Sequence, residues 1–329
     1  MKSFLSVFLL VNLFSSVNSQ EKIISGQIKD KESGNFLAYA NIMLKGFPIG
    51  ITSDSHGFFT LNYHDSIKAD TVVISYVGYE SSELPLIAIN NGSIYLSQIS
   101  IDISEVIVKP QIKKEKILTL NNFNDRDCML RYSISPFDTT GDLHIPYRPK
   151  EPTIEAIYFP SEPESSIFKR IKKVRINAKS LIDTSTFRLR VFQATNENKP
   201  GDDLLLKSHI ISVNKNQQEM IIDLADENII MPESGIFIGF ELLIIPENLT
   251  IITNNNGKEA LVYSPFLYQI SDNQNYNTWV YSKGEWSLSK YWYYRQGIWI
   301  ESENSNLAEK KTAGPYKFKP AISLILSEL

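Results

Sequence analysis

The chain has 329 residues, 43% of them hydrophobic, which is enough apolar material for two buried cores. Its 33 Lys and Arg stand against 37 Asp and Glu, for a net charge of -4, so there is no basic field to hold nucleic acid. The lone cysteine, Cys128, excludes an internal disulfide framework and reads as a small buried hydrophobe, with nothing beside it in sequence to mark an activating base.

Met1 to Ser19 carries Lys2, an apolar run from Phe4 to Phe14 broken by Ser6 and Asn12, and Val17-Asn18-Ser19 ahead of Gln20. That order is the three-part secretory signal, so residues 1–19 read as a cleaved signal peptide whose apolar run is too short to span a bilayer. A mature chain starting at Gln20, with no transmembrane span after signal removal, is expected. No Cys lies near the cleavage point, so lipidation is not expected.

Period two dominates the next segment. Ile24, Gly26 and Ile28 interleave with Ser25, Gln27 and Lys29, and Ile42 and Leu44 alternate with Asn41, Met43 and Lys45. Polar tips separate these strands at Lys31-Glu32-Ser33-Gly34-Asn35 and Asp54-Ser55-His56-Gly57. Asp54 can accept from the backbone two residues on and Gly57 can take a positive φ, which makes both structural turn residues. Beyond the second tip Phe59 and Leu61 share one face and Phe58 and Thr60 the other, and Thr71 to Tyr76 is apolar on both sides, as a central strand is. The result is a small two-layer sandwich that should fold alone, over Gln20 to about Pro110.

Four segments occur in order: Gly26-x-Ile28-x-Asp30, Ala40-Asn41-Ile42, Gly50-x-Thr52-x-Asp54-x-x-Gly57-x-Phe59, and Ile74-Ser75-Tyr76-Val77-Gly78-Tyr79. With them the first domain, residues 20–108, resembles the carboxypeptidase regulatory-like domain, a transthyretin-like Greek-key β-sandwich of Bacteroidetes envelope proteins. His56 and Phe47-Pro48-Ile49 depart from the usual polar residues of that family. The resemblance implies a non-catalytic module in the periplasm, outer membrane or surface of a Gram-negative bacterium, with an envelope protein or a glycan as partner. In some members the module precedes a receptor plug and barrel, but a barrel of about twenty-two strands of about ten residues exceeds the chain left after Val108. In others it follows a zinc carboxypeptidase, yet none of His56, His64, His144 and His209 opens a His-x-x-Glu. Glu105-Val106-Ile107-Val108 resembles the segment where receptors meet their energy-coupling protein, and without a barrel it reads as a last strand or linker.

Residues 109–150 read as linker and embellishment. Asp125-x-Asp127 can start a calcium loop, but its glycine and distal glutamate are missing. Residues 151–329 read as a larger, jelly-roll-like second sandwich, so the expected fold is all-β with two sandwich domains. Phe187, Leu189 and Val191 give one buried face of a strand there, with Arg188 and Arg190 expected to point into solvent.

Every tryptophan falls in the last third: Trp279, Trp286, Trp292 and Trp299, among Tyr281, Tyr291, Tyr293 and Tyr294, with Lys283-Gly284 as a hairpin signal. These rings are candidates for stacking on sugars, but aromatic faces also fill cores and cross-strand pairs, and that is the better reading here. At least one of Trp286 and Trp292 should be structural. The sequence has no phosphate-cradling glycine loop, no Gly-x-Ser-x-Gly and no His-Glu-x-x-His, so no catalytic, cofactor-binding or metal residue is named. The sequence reads as a non-catalytic exported envelope protein with a binding or structural role. Its alternative is a carbohydrate-binding protein or polysaccharide hydrolase with its site on the second sandwich.

Overall fold

The computed structural model describes residues 21–89, 92–99, 115–130, 151–161, 163, 166–253, 257, 259–271, 277–289, 291–295, 298–302, 313–316 and 318–328; for 291–316 this is backbone only. The signal peptide with its junction at Gln20, the Glu105 to Val108 segment and the proline-rich Pro136 to Lys150 lie outside the described residues. The fold is all-β: strands make up 58% of it and no described helix reaches seven residues.

The first sandwich contains β1 (Glu21–Asp30), β2 (Asn41–Leu44), β3 (Gly50–Thr52), β4 (Phe58–His64), β5 (Thr71–Ser75), β6 (Ser82–Pro85) and β7 (Ser93–Leu96). One sheet has the order β4-β1-β7 and faces a second with the order β3-β2-β5-β6. Alternation sets which side chains meet. On β4, Phe59, Leu61 and Tyr63 point inward between exposed neighbours, and they join Ile24, Ile28, Ile42, Leu44, Val72, Ile74 and Leu96 in one core. Each such side chain contributes about 1.5–3 kcal/mol when fully buried.

The hairpin tips are held by aspartates. Asp54 Oδ1 accepts from the backbone N–H of His56 at 2.8 Å and of Phe58 at 2.9 Å. At the other tip Asp30 Oδ1 accepts from the Ser33 N–H at 2.6 Å and the Ser33 hydroxyl at 2.7 Å. Those two bonds, with the Tyr79 hydroxyl, hold the Asp30 carboxyl down at about 2.

The remaining strands are β8 (Ile117–Leu120), β9 (Cys128–Met129), β10 (Thr153–Phe159), β11 (Phe168–Lys179), β12 (Thr184–Ala194), β13 (Pro200–Asp203), β14 (His209–Asn214), β15 (Glu219–Asp223), β16 (Ile236–Leu242), β17 (Leu249–Thr253) and β18 (Glu259–Tyr263). They continue with β19 (Phe266–Leu267), β20 (Gln269–Ser271), β21 (Thr278–Ser282), β22 (Glu285–Leu288), β23 (Tyr291–Arg295), β24 (Ile298–Ser302), β25 (Ala313–Tyr316), β26 (Phe318–Pro320) and β27 (Ile322–Glu328). A seven-stranded sheet, β13-β12-β16-β10-β21-β22 with β14 also on β12, packs against a five-stranded one, β15-β11-β27-β8 with β19 also on β11. Between them lies the larger core, in which Phe187 and Phe240 stack with ring centroids 4.4 Å apart. The stretch expected as linker supplies β8 to this sandwich, where Leu118 and Leu120 pack on the core.

Gly57 has φ +74°, and a Cβ there would lie 2.6 Å from the Ile28 carbonyl oxygen, which is backbone and cannot swing away. Gly57→Val therefore combines left-handed strain with a clash. Chemical denaturation should show a loss of more than about 1 kcal/mol. A neutral substitution would mean that the hairpin does not hold this conformation.

Candidate functional site

β12 alternates as its sequence requires: Phe187, Leu189 and Val191 enter the large core, which sends Arg188 and Arg190 to the other face. The expectation that these arginines meet solvent is wrong. Arg188 has no exposed side-chain surface, because the first sandwich sits on it, and Arg190 only 15%, held between Asp203 and Glu241. Alternation fixes which face a side chain takes, not what covers it.

Glu241, on the neighbouring β16 and fully buried, stands opposite Arg188 in the register. Its Oε1 accepts from Arg188 Nη1 at 3.0 Å and its Oε2 from Arg190 Nη1 at 2.7 Å. Asp203 Oδ2 takes Arg190 Nε at 2.6 Å, so two cations and two anions cancel. Burial works to raise the Glu241 carboxyl, but the two guanidinium groups and the Asn41 amide outweigh it and hold the carboxyl below the usual glutamate range. For Arg190 burial is likewise outweighed, by Asp203 and Glu241, and its pKa rises above the ordinary value.

The first sandwich closes this network. Asn41 Nδ2 donates to Glu241 Oε1 at 2.5 Å, and Arg188 Nη2 donates to the Tyr39 carbonyl. Tyr39 holds φ +65°, a conformation that costs a non-glycine residue about 1–3 kcal/mol, and its carbonyl meets a full positive charge. The Arg188 guanidinium also lies 5.6 Å from the Tyr76 ring centroid. Backbone pairing extends the junction. Thr52 N–H donates to Ile244 O at 3.3 Å, and Ile244 N–H donates to Thr52 Oγ1 at 3.1 Å. Val77 is buried in the core of the second sandwich, and next to it Gly78, at φ +78°, comes so near that a Cβ would lie 2.5 Å from Leu206 O. Isolated, the first sandwich would expose this surface.

The aromatic hairpin covers the other end of the same sheet face. Lys283 and Gly284 both have positive φ, 57° and 84°, which gives the tight turn its sequence announces. Glu151 clamps the turn: Oε1 accepts from the Ser282 hydroxyl at 2.8 Å and the Lys283 N–H at 2.9 Å. Burial still pushes its carboxyl up. Trp286 lies edge-on to Phe192 and to Tyr281, each at 5.3 Å between centroids. Trp279 and Tyr158 pack on the same small cluster, with Ile154, Ala156 and Phe237. Trp279 Nε1 is buried there without a hydrogen-bond partner among the described residues. Trp292 pairs with Glu301 and Trp299 with Tyr294 in the backbone ladder of β23 and β24, but their side chains are not among those described.

The other sequence candidates occupy structural positions. Asp125 Oδ1 accepts from Arg175 Nη2 at 2.6 Å and Asn177 Nδ2 at 2.8 Å. Among the described residues no three His, Cys, Asp or Glu side chains gather as a metal site. Cys128 is half-buried, and burial pushes its thiol up to about 11, away from nucleophilic use. The residue that sequence reasoning missed is Glu241. Its signal was an acid embedded in Ile236-Phe237-Ile238-Gly239-Phe240-Glu241-Leu242, too costly to bury in a sheet without a cation beside it.

Residues 24–108 match the family model of the CarboxypepD_reg-like domain. Over 108 residues the chain is 32% identical to the TonB-dependent receptor P3 of Formosa agariphila, an alignment covering 33% of this chain and 10% of the receptor. Over 110 residues it is 30% identical to the TonB-dependent receptor SusC of Bacteroides thetaiotaomicron, covering 33% of this chain and 11% of the receptor. The match thus spans about a tenth of either receptor.

Trp286 is half-buried and makes two edge-on ring contacts, so Trp286→Ala removes packing as well as an aromatic surface. Thermal and chemical melts should show a loss of about 2–4 kcal/mol, below the full cost of a core tryptophan. A variant as stable as the parent would free this ring for a purely ligand-facing role.

Proposed function

We propose that this chain, whose residues 24–108 are a CarboxypepD_reg-like domain, is an exported, non-catalytic cell-envelope protein that engages its partner through the second sandwich. The first sandwich is a fixed brace rather than a free module. The observation that carries this reading is the shared network around Glu241, in which Asn41 and Tyr39 of one sandwich bond Glu241 and Arg188 of the other. An envelope setting is what the two TonB-dependent receptors suggest. Receptor activity does not transfer, since the alignments cover only about a third of this chain and about a tenth of either receptor.

The charged side chains support a binding or structural role over catalysis. Glu241, Asp203, Asp125, Glu219 and Glu227 are each engaged by Arg or His partners, an arrangement that orients strands rather than activates a substrate.

The test is expression of the full chain in a Gram-negative host, followed by fractionation, mass spectrometry of the N-terminus, and incubation with envelope and plant polysaccharides. The chain should appear in the envelope fraction beginning at Gln20 and release no new reducing ends. A cytoplasmic chain retaining Met1 to Ser19 would contradict export, and sustained release of reducing ends would contradict the non-catalytic reading.

A further inference from the structure

On the rim of the second sandwich, a groove of about 680 Å³ lies between the tip joining β12 to β13 and the turn that precedes β16. Its polar lining is Gln193, Thr195, Asn196, Asp202, Glu233 and Ser234. The volume falls within the roughly 300–1,000 Å³ of small-ligand sites. Both walls are fixed by the backbone. Thr195 N–H donates to Lys199 O at 2.9 Å and Asn198 N–H to Thr195 O at 2.9 Å, closing one tip. Gly235 N–H donates to Pro232 O at 2.9 Å, and Ala194 N–H donates to Gly235 O at 3.0 Å, which ties one wall to the other. The backbone of the groove is therefore set before a ligand arrives.

The lining decides what fits. Among the described residues no Lys, Arg or His lines the groove, and Asp202 and Glu233 repel anions. No aromatic or branched aliphatic side chain among the described residues lines it, so an apolar ligand gains little from burial. Among the described residues two carboxylates are the only ionised groups of the lining, and no three-member cluster of metal-ligating side chains forms. What remains is a lining of acceptors and paired donor–acceptor groups. The carboxylates accept from hydroxyls, while the amides of Gln193 and Asn196 both donate and accept. Ser234 also lines the groove, but its hydroxyl has no open surface, and its carbonyl accepts from the Tyr158 hydroxyl at 2.9 Å.

We propose that this groove binds a neutral saccharide, with Asp202 and Glu233 accepting from its hydroxyls and Asn196 and Gln193 bonding adjacent ones. The proposal rests on the binding reading given above and names its ligand class and place. It puts the site at the rim, where Ala194 of the lining also belongs to the cluster on which Trp286 packs.

Isothermal titration of the purified chain in EDTA would use maltohexaose, laminarihexaose, xylohexaose and mannohexaose, with an alginate hexamer as the anionic comparison. At least one neutral oligosaccharide should bind saturably and the alginate should not. Asp202→Ala and Asn196→Ala, both on exposed side chains, should each weaken that binding at least tenfold while the melting temperature stays at the parent value. Binding by none of the neutral probes, equal binding by both variants, or preference for alginate would each overturn the proposal. Those failures leave envelope location untouched, whereas a cytoplasmic protein would fail the broader reading instead.

Discussion

A carboxylate in the middle of a β-sheet, with no surface open to water, is the constraint on which this molecule turns. Glu241 is tolerable only because Arg188 and Arg190 reach it from the adjacent strand, and their charges are in turn balanced with the help of Asp203. Desolvating these ions costs several kcal/mol each, so the network does not by itself add much stability over a well-packed apolar junction. What it adds is geometry. Asn41 and the Tyr39 carbonyl must lie where Glu241 and Arg188 can meet them, and a slide of the first sandwich by one residue would strand buried charge. Removing one member is far more damaging than never having had the network.

The two ends of the seven-stranded sheet's outer face are thus occupied by different means. One end lies under the first sandwich, and the other under the chain's own aromatic hairpin, with the Arg190 guanidinium 4.8 Å from the Phe192 ring centroid between them. A face covered in this way is unavailable as a flat ligand platform. Loops at the rim remain, which is where backbone bonds hold a polar groove open.

Much of the local structure was legible because it is written in short-range chemistry. The inward set Phe59, Leu61 and Tyr63, the positive φ of Gly57 and the Lys283-Gly284 turn all follow from period two and from backbone sterics acting over a few residues. The solvent side of Arg188 was misread because Tyr39, and the Asn41 that bonds its partner Glu241, lie 149 and 200 positions from their contacts in the chain, whereas Arg190 is enclosed by Asp203 and Glu241 of its own sandwich. The same distance hid β8, whose partner β27 is at the far end of the sequence. The tryptophans were ambiguous for another reason: an aromatic ring satisfies a core or a sugar by the same face, and only the position of Phe192 and Tyr281 around Trp286 distinguishes the two.

Differential scanning calorimetry of the intact chain beside Glu241→Gln tests most directly whether this buried charge joins the two sandwiches. The parent should unfold in one transition with matching calorimetric and van't Hoff enthalpies. The variant, with Arg188 left buried and uncompensated, should lose about 3–5 kcal/mol. A parent that already unfolds in two separate steps, or a Glu241→Gln chain that melts where the parent does, would contradict the account.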